Sequence, residues 1–432
     1  MGTIATLPGE MIIKGGILYD PTTRESRRQD VAIRNGRLVE TAEISSSKAQ
    51  ALDASGCLIT HGFIDVHAHF REPGREDKET LATGSRAALA GGFTRVCVMP
   101  NTDPPIDDPE GIHFVLERSE GLPVTIYPIG TVTKGQDGNE LAELLEMRAA
   151  GALAFSDDGL PIQNGEVLRR ALRYVRELGV PIINHAEDVY LRAEGIMNES
   201  ALSTRLGLPG NPVQAEAAMV YRDCLLAEDV GGRLHIPHIS STLAVELVRR
   251  FKERGGAITA EATPHHLGLT EEAVRDFNTH AKVAPPLRTE DDRQAVVAGL
   301  IDGTLDCIAT DHAPHTIEEK EQDIYQAPFG MIGLESAFGM AHSTLRKAGL
   351  TTEQVIDLFT TGPARVMGLG LTPLVPGQKA ELVILHPDEK WTFTREDIHS
   401  RSRNTPMLGM TFTGRVRGTI GRNMWFKAPE NS

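Results

Sequence analysis

Between residues 58 and 312 the chain alternates short apolar runs with longer stretches in which apolar residues recur every three or four positions, and no other feature constrains the fold as much. The runs fall at 58–66, 93–99, 125–132, 152–158, 181–185, 234–239, 258–263 and 307–311. The stretches between them include 79–90, 140–150, 166–178, 212–228, 243–254 and 290–301. Eight strands alternating with helices predict an α/β fold, a (β/α)8 TIM barrel. A doubly wound open sheet is the alternative, but it does not easily bring residues from runs one, four, five, six and eight to one point, as a closed ring does.

Those five runs matter because each ends in a side chain of metal-ligating type. The first delivers His67-Ala68-His69. Successive strand residues point to opposite faces, so histidines two apart project the same way and can reach one ion. An isolated pair of this kind is as well explained by packing or hydrogen bonding; what changes the reading is company. Asp158, His185, His238 and Asp311 sit at the ends of four further runs. In a barrel that is the face on which active sites are built. Four imidazoles and two carboxylates suit zinc or a similar divalent ion, and a carboxylate can bridge two ions about 3.5–4 Å apart.

The flanks read differently. Short alternating pieces at 11–14 and 30–33, with a turn signal at Asn35-Gly36, and further pieces at 380–385, 414–420 and 424–426 predict a small β-sandwich made from both termini. The domain expectation is therefore 1–57 and 371–432 for the sandwich and 58–370 for a catalytic barrel. Residues 352–367 read as helical and 205–212 as a surface loop. A formal charge of -15 argues against nucleic acid, whose binding draws on clustered Lys and Arg. A small anionic substrate needs only a local positive pocket. No stretch approaches the roughly 20 apolar residues that span a bilayer, and residues 1–10 lack a secretory pattern, so a cytoplasmic protein without membrane contact is expected. The four widely spaced cysteines read as reduced core residues.

The strings Asp65-Val66-His67-Ala68-His69-Phe70-Arg71-Glu72-Pro73-Gly74, Ala90-Gly91-Gly92-Phe93-Thr94, Met99-Pro100-Asn101-Thr102, Asn184-His185-Ala186-Glu187-Asp188 and Ala309-Thr310-Asp311-His312-Ala313-Pro314-His315, in this order, resemble the dihydroorotases of the amidohydrolase superfamily. The resemblance runs from about residue 10 to about 425. It implies a metal-bearing barrel with a sandwich from both termini. It also implies zinc, one or two ions per subunit, with His67, His69 and Asp311 on one ion, His185 and His238 on a second, and an aspartate between them. Hydantoinases, allantoinases and some dihydroorotases use a carboxylated lysine there; this chain has Ser156-Asp157-Asp158-Gly159, similar to bacterial dihydroorotases that bridge with aspartate. Register with His185 favours Asp158, with Asp157 the alternative.

The same resemblance implies that Asp311 is the catalytic proton carrier, and that His69, Arg71, Asn101, His315, Phe329 and Gly330 meet the substrate. Arg71 has its own physical case, since a guanidinium grips a carboxylate with two parallel hydrogen bonds; the bland reading is a surface ion pair with Glu72 or Glu76. The implied reaction is the reversible cyclisation of N-carbamoyl-L-aspartate to dihydroorotate in pyrimidine synthesis. The resemblance also admits a homodimer and a complex with aspartate transcarbamoylase. One departure stands out: where the bacterial dihydroorotases usually have an asparagine that meets the substrate, this chain has Ala284. An allantoinase or hydantoinase, and a non-catalytic partner of the transcarbamoylase, are the alternatives.

Overall fold

The computed structural model describes residues 2–44 and 49–429; residues 1, 45–48 and 430–432, part of the expected sandwich flanks, lie outside it. Eight parallel strands form the centre. Phe63–Ala68 pairs with Phe93–Val98, which pairs with Thr125–Pro128. Phe155–Ser156, Ile182–Ile183, Leu234–Ile236, Ile258–Ala262 and Cys307–Ile308 pair in that order. Single bridges Gly130–Phe155 and Ala68–His312 join the two sets, so pairing passes through all eight strands and returns to the first. The closing seam is reinforced by Asp65, wholly buried, whose carboxylate accepts from Thr310 N and Oγ1 on the last strand's exit and from His67 N on its own.

The run at 58–66, expected as one strand, is two. Leu58–His61 pairs antiparallel with Leu382–Leu385 and parallel with Ile17-Leu18, while Phe63–Ala68 enters the parallel circuit. Gly62 makes the crossing because the backbone runs against Thr94: a Cβ there would lie 2.1 Å from Thr94 Cγ2. Several central strands are also only two residues long, since only these residues meet both neighbours in register. The helical stretch at 352–367 breaks at Thr360 into Thr352–Phe359 and Thr361–Met367. The expected loop at 205–212 holds a two-residue strand, Gly210–Asn211, paired with Met197–Asn198.

The ends of the chain share a seven-stranded sheet in the order Thr3–Thr6, Met424–Lys427, Thr411–Ile420, Leu382–Thr392, Leu58–His61, Ile17–Asp20, Glu25–Arg28. A second sheet, Arg37–Val39, Val31–Arg34, Glu10–Lys14, Gln50–Asp53, comes from the N-terminal part alone. Met11, Ile13, Val31 and Ile33 of the second pack with Ile59, Leu382, Ile384 and Ile420 of the first in one core, which gives both sheets an apolar face to bury. At the centre, Ile64, Val66, Cys97, Ile183 and Cys307 from different strands cluster with Ala364 and Val366 of the last helix. A larger cluster joins the strands to the surrounding helices. This packing fixes the strand ends, and with them the site.

Candidate metal centre and substrate cleft

Asp158 lies two residues past Phe155–Ser156, His185 two past Ile182–Ile183, His238 two past Leu234–Ile236 and Asp311 three past Cys307–Ile308. The parallel circuit sends all of these ends, and His67 and His69, to one side. The structure brings the six together. Asp158 Oδ2 lies 3.2 Å from His67 Nε2 and 3.4 Å from His69 Nε2. Asp158 Oδ1 lies 3.5 Å from His238 Nε2 and 3.7 Å from His185 Nδ1. Asp311 Oδ1 is 3.1 Å from His69 Nε2 and 3.5 Å from His67 Nε2. His67, His69 and Asp158 form one grouping able to hold an ion, and Asp158, His185 and His238 a second. Asp158 is thus common to both.

Three observations show that this donor set fits a divalent ion. Asp158 Oδ1 is buried with no hydrogen-bond partner, an arrangement costly for an anionic oxygen unless a cation meets it. The donors are imidazole nitrogens and carboxylate oxygens, the ligand types zinc takes. The cluster is also electronegative. Burial alone would lower the His185 pKa, yet Asp158 and Glu187 raise it to about 10. Against the same burial, which would raise it, the His67 charge and the His67 hydrogen bond to Oδ2 hold Asp158 well below the usual carboxylate range.

Asp157 faces elsewhere. Its carboxylate accepts from Val132 N at 2.8 Å, Thr133 N at 3.1 Å and Thr133 Oγ1 at 2.5 Å, and so ties down the neighbouring loop. Two of the converging residues, His238 and Asp311, have φ of 38° and 46°, and Arg71 has 61°. Left-handed backbone at non-glycine residues costs of order 1–3 kcal/mol each and persists where surrounding packing imposes it. Here it turns side chains at strand exits into the cluster.

Carbonyls or carboxylates are expected to fix ligating imidazoles, but the sequence does not assign which residues do so. Glu261, wholly buried in the seventh strand, places Oε1 2.9 Å from His67 Nδ1 and Oε2 2.9 Å from His235 Nε2. This is the carboxylate–histidine arrangement that fixes tautomer and ring orientation at metal sites. A signal existed: a glutamate inside an apolar run is almost never buried without a partner. Asn101 Oδ1 accepts from His69 Nδ1 at 2.8 Å, so the residue expected at the substrate also orients a candidate ligand. Glu187 Oε2 stands 3.7 Å from His185 Nε2.

The cluster floors a cleft of about 320 Å³ whose walls include Arg71, Asn101, Ala284, His315, Phe329 and Gly330. Glu72, one expected partner of Arg71, instead accepts from Arg118 and Leu81 N; Glu76, the other, accepts from Gly74 N. Among the described residues Arg71 donates only to Pro314 O, at 3.4 Å, and burial pulls its pKa down to about 10. Among the described residues it forms no salt bridge. His315 reaches the cleft wall with both nitrogens engaged: Nε2 donates to Phe329 O at 2.8 Å and Nδ1 accepts from Lys78 Nζ at 3.2 Å. Burial pushes its pKa to about 3, so it is neutral. The cleft therefore sets an unpaired guanidinium beside a cation-seeking cluster, which suits an anionic molecule with a hydrolysable bond.

Residues 56–243 match the family model described as Dihydro-orotase-like. A dihydroorotase of Pelotomaculum thermopropionicum is 47% identical over 95% of this chain and 97% of its own, and one of Anaeromyxobacter sp. is 44% identical over 95% and 96%. Among solved structures, L-hydantoinase from Arthrobacter aurescens superposes with a TM-score of 0.83 at 24% identity, over 95% of this chain and 94% of that one. Dihydropyrimidinase from Brevibacillus agri gives 0.81 at 22%, over 96% and 94%. At that identity the two structures speak for the fold alone, whereas the sequence relatives speak for the chemistry. The chain belongs to the dihydroorotase family and is a cyclic amide hydrolase.

Proposed function

We propose that the chain carries out the reversible cyclisation of N-carbamoyl-L-aspartate to (S)-dihydroorotate, a step of pyrimidine synthesis, with zinc, one or two ions per subunit, in a (β/α)8 barrel. The observation that carries this reading is Arg71, without a carboxylate partner among the described residues, in the cleft above the six-residue cluster. His67, His69 and Asp311 would hold one ion, His185 and His238 the other, and Asp158 both. When bound, such an ion makes water acidic enough to ionise near neutral pH and polarises a carbonyl.

The chain's own residues do the rest. Arg71, with Asn101, anchors the ring carboxylate, a group that hydantoin and allantoin lack. In ring opening a water oxygen bonds to the C4 carbonyl carbon and the bond from C4 to N3 breaks. Asp311 takes the proton from the attacking water and delivers it to N3; in ring closure it carries the proton back. Asp311 suits this relay by position, at the floor of the cleft with Oδ1 3.1 Å from His69 Nε2, and the His67 charge, opposing the effect of burial, keeps its carboxylate ionised. His315 shapes the wall through Phe329 O.

The terminal sheets are read as a sandwich domain from 1–57 and 371–432 around a barrel of 58–370, with the crossing at Gly62 because Leu58–His61 pairs with Leu382–Leu385. We place the protein in the cytoplasm, in keeping with four free buried cysteines. No helix among the described residues is long and apolar enough to cross a membrane. A homodimer and a complex with aspartate transcarbamoylase complete the proposal.

Purified protein assayed on dihydroorotate, hydantoin and allantoin tests the reading. Dihydroorotate should turn over fastest, and faster hydantoin or allantoin hydrolysis would overturn it. Ala284→Asn supplies the contact that Ala284 lacks, and should tighten dihydroorotate binding by up to about tenfold, about 1–1.5 kcal/mol, without changing substrate order.

A further inference from the structure

Lys282 and Lys320 are each only 2% exposed, and among the described residues neither forms a salt bridge. An ammonium group is costly to bury unless all three of its donors are met. Main-chain carbonyls meet them here. Lys282 Nζ donates to Ile324 O at 2.7 Å, Tyr325 O at 3.2 Å and Ala327 O at 2.6 Å. Lys320 Nζ donates to Pro328 O at 2.7 Å, Thr279 O at 3.0 Å and Lys282 O at 3.5 Å. Four of these six carbonyls belong to the segment that becomes the cleft wall at Pro328, Phe329 and Gly330.

That segment has no regular secondary structure to satisfy its backbone, so its carbonyls need partners from elsewhere. Two others are also held from inside. Phe329 O accepts from His315 Nε2, and Gly330 O from Asn404 Nδ2 at 3.2 Å. Lys282 grips the wall twice more, through its own carbonyl, which accepts from Gly330 N at 2.9 Å, and through Nζ, 4.6 Å from the centre of the Phe329 ring. Gly330 can close this approach because it has no side chain: at φ +126° a Cβ would lie 2.7 Å from Ala313 Cβ.

A trans peptide directs its C=O and N–H to opposite sides. With Pro328 O drawn to Lys320, the N–H of Phe329 is turned away from the lysine, and among the described residues it has no acceptor. We propose that Lys282 and Lys320 are positioning residues, two buried side-chain amines that fix the wall at Pro328–Phe329–Gly330 and hold the Phe329 N–H ready for an acceptor oxygen on the ring ligand. The proposal rests on the reading that the cleft takes dihydroorotate. The lysines act through the main chain and touch neither substrate nor metal ligands. Their loss therefore weakens binding in both directions of the reaction and leaves the proton relay intact.

The test uses Lys282→Met and Lys320→Met, which keep length and remove charge, in the metal-loaded enzyme. KM for dihydroorotate and for N-carbamoyl-aspartate should both rise at least about tenfold, with kcat within about threefold and metal content unchanged. Lys320→Arg, which keeps charge and donors, should recover much of the loss. Tyr325 is 54% exposed and gives a second readout, because its carbonyl is one that Lys282 holds. Chymotrypsin should spare it in the wild type and cut there in Lys282→Met. Unchanged KM in both methionine variants, a defect confined to kcat, or equal losses in Lys320→Arg and Lys320→Met would overturn the proposal. Where a methionine variant does not fold, rapid wild-type cleavage at Tyr325 overturns it and resistance supports it. A wild type that does not turn over dihydroorotate would instead sink the reading of the cleft.

Discussion

Asp157 and Asp158 are adjacent, acidic and buried, and their fates differ because one residue of a strand exit turns each to a different neighbour. Asp158 faces four imidazoles; Asp157 is consumed by three donors of the loop at 132–133. Asp158→Ala should therefore lose metal, measured by elemental analysis, with little change in the loop. Asp157→Ala should keep metal and lower stability by about 1–3 kcal/mol in denaturant unfolding, since it leaves buried donors unpaired. The reverse ranking would move the ligand by one residue. A second pair separates chemistry from binding. Asp311→Asn keeps an oxygen for an ion but not the proton acceptor, so kcat should fall at least about 10²-fold. Arg71→Lys loses the planar fork and should act mainly on KM. Identical kinetic defects in the two would refute the division of roles. Sequence register favours Asp158 but keeps Asp157 as an alternative, because the choice depends on strand twist at the exit, which no local pattern records.

At the scale of elements, the seventh strand, Ile258–Ala262, supplies no proposed ligand but supplies Glu261, which braces His67 and His235 at once. Glu261→Gln retains size but loses the charge that favours the ligating tautomer. Metal affinity should fall about 10- to 100-fold, read by titration against a competing chelator, and an unchanged affinity would show that His67 is held by packing alone. The elements themselves were legible to different degrees. The alternation of runs and helical stretches named all eight central strands, since hydrophobic periodicity is a local property. Strand bounds were not legible. The run at 58–66 is buried throughout, yet Gly62 divides it between two sheets because each half finds different partners, Leu382–Leu385 on one side and Phe93–Val98 on the other.

For the whole molecule, sequence alone determined which residue types stand at the strand exits and which family the motifs belong to, because both are read along the chain. It also determined that both ends are β, from period-two pieces hundreds of residues apart. Tertiary structure decided what those residues do to one another. His67 meets Glu261 across 194 positions and His69 meets Asp311 across 242. Lys282 and Lys320, ordinary surface residue types in any composition, are buried against main-chain carbonyls 8 to 45 positions away. Carbonyls carry no sequence signature. Periodicity reports burial along one element, while hydrogen-bond partners are set where separate elements meet, and that geometry exists only once the parallel circuit has closed.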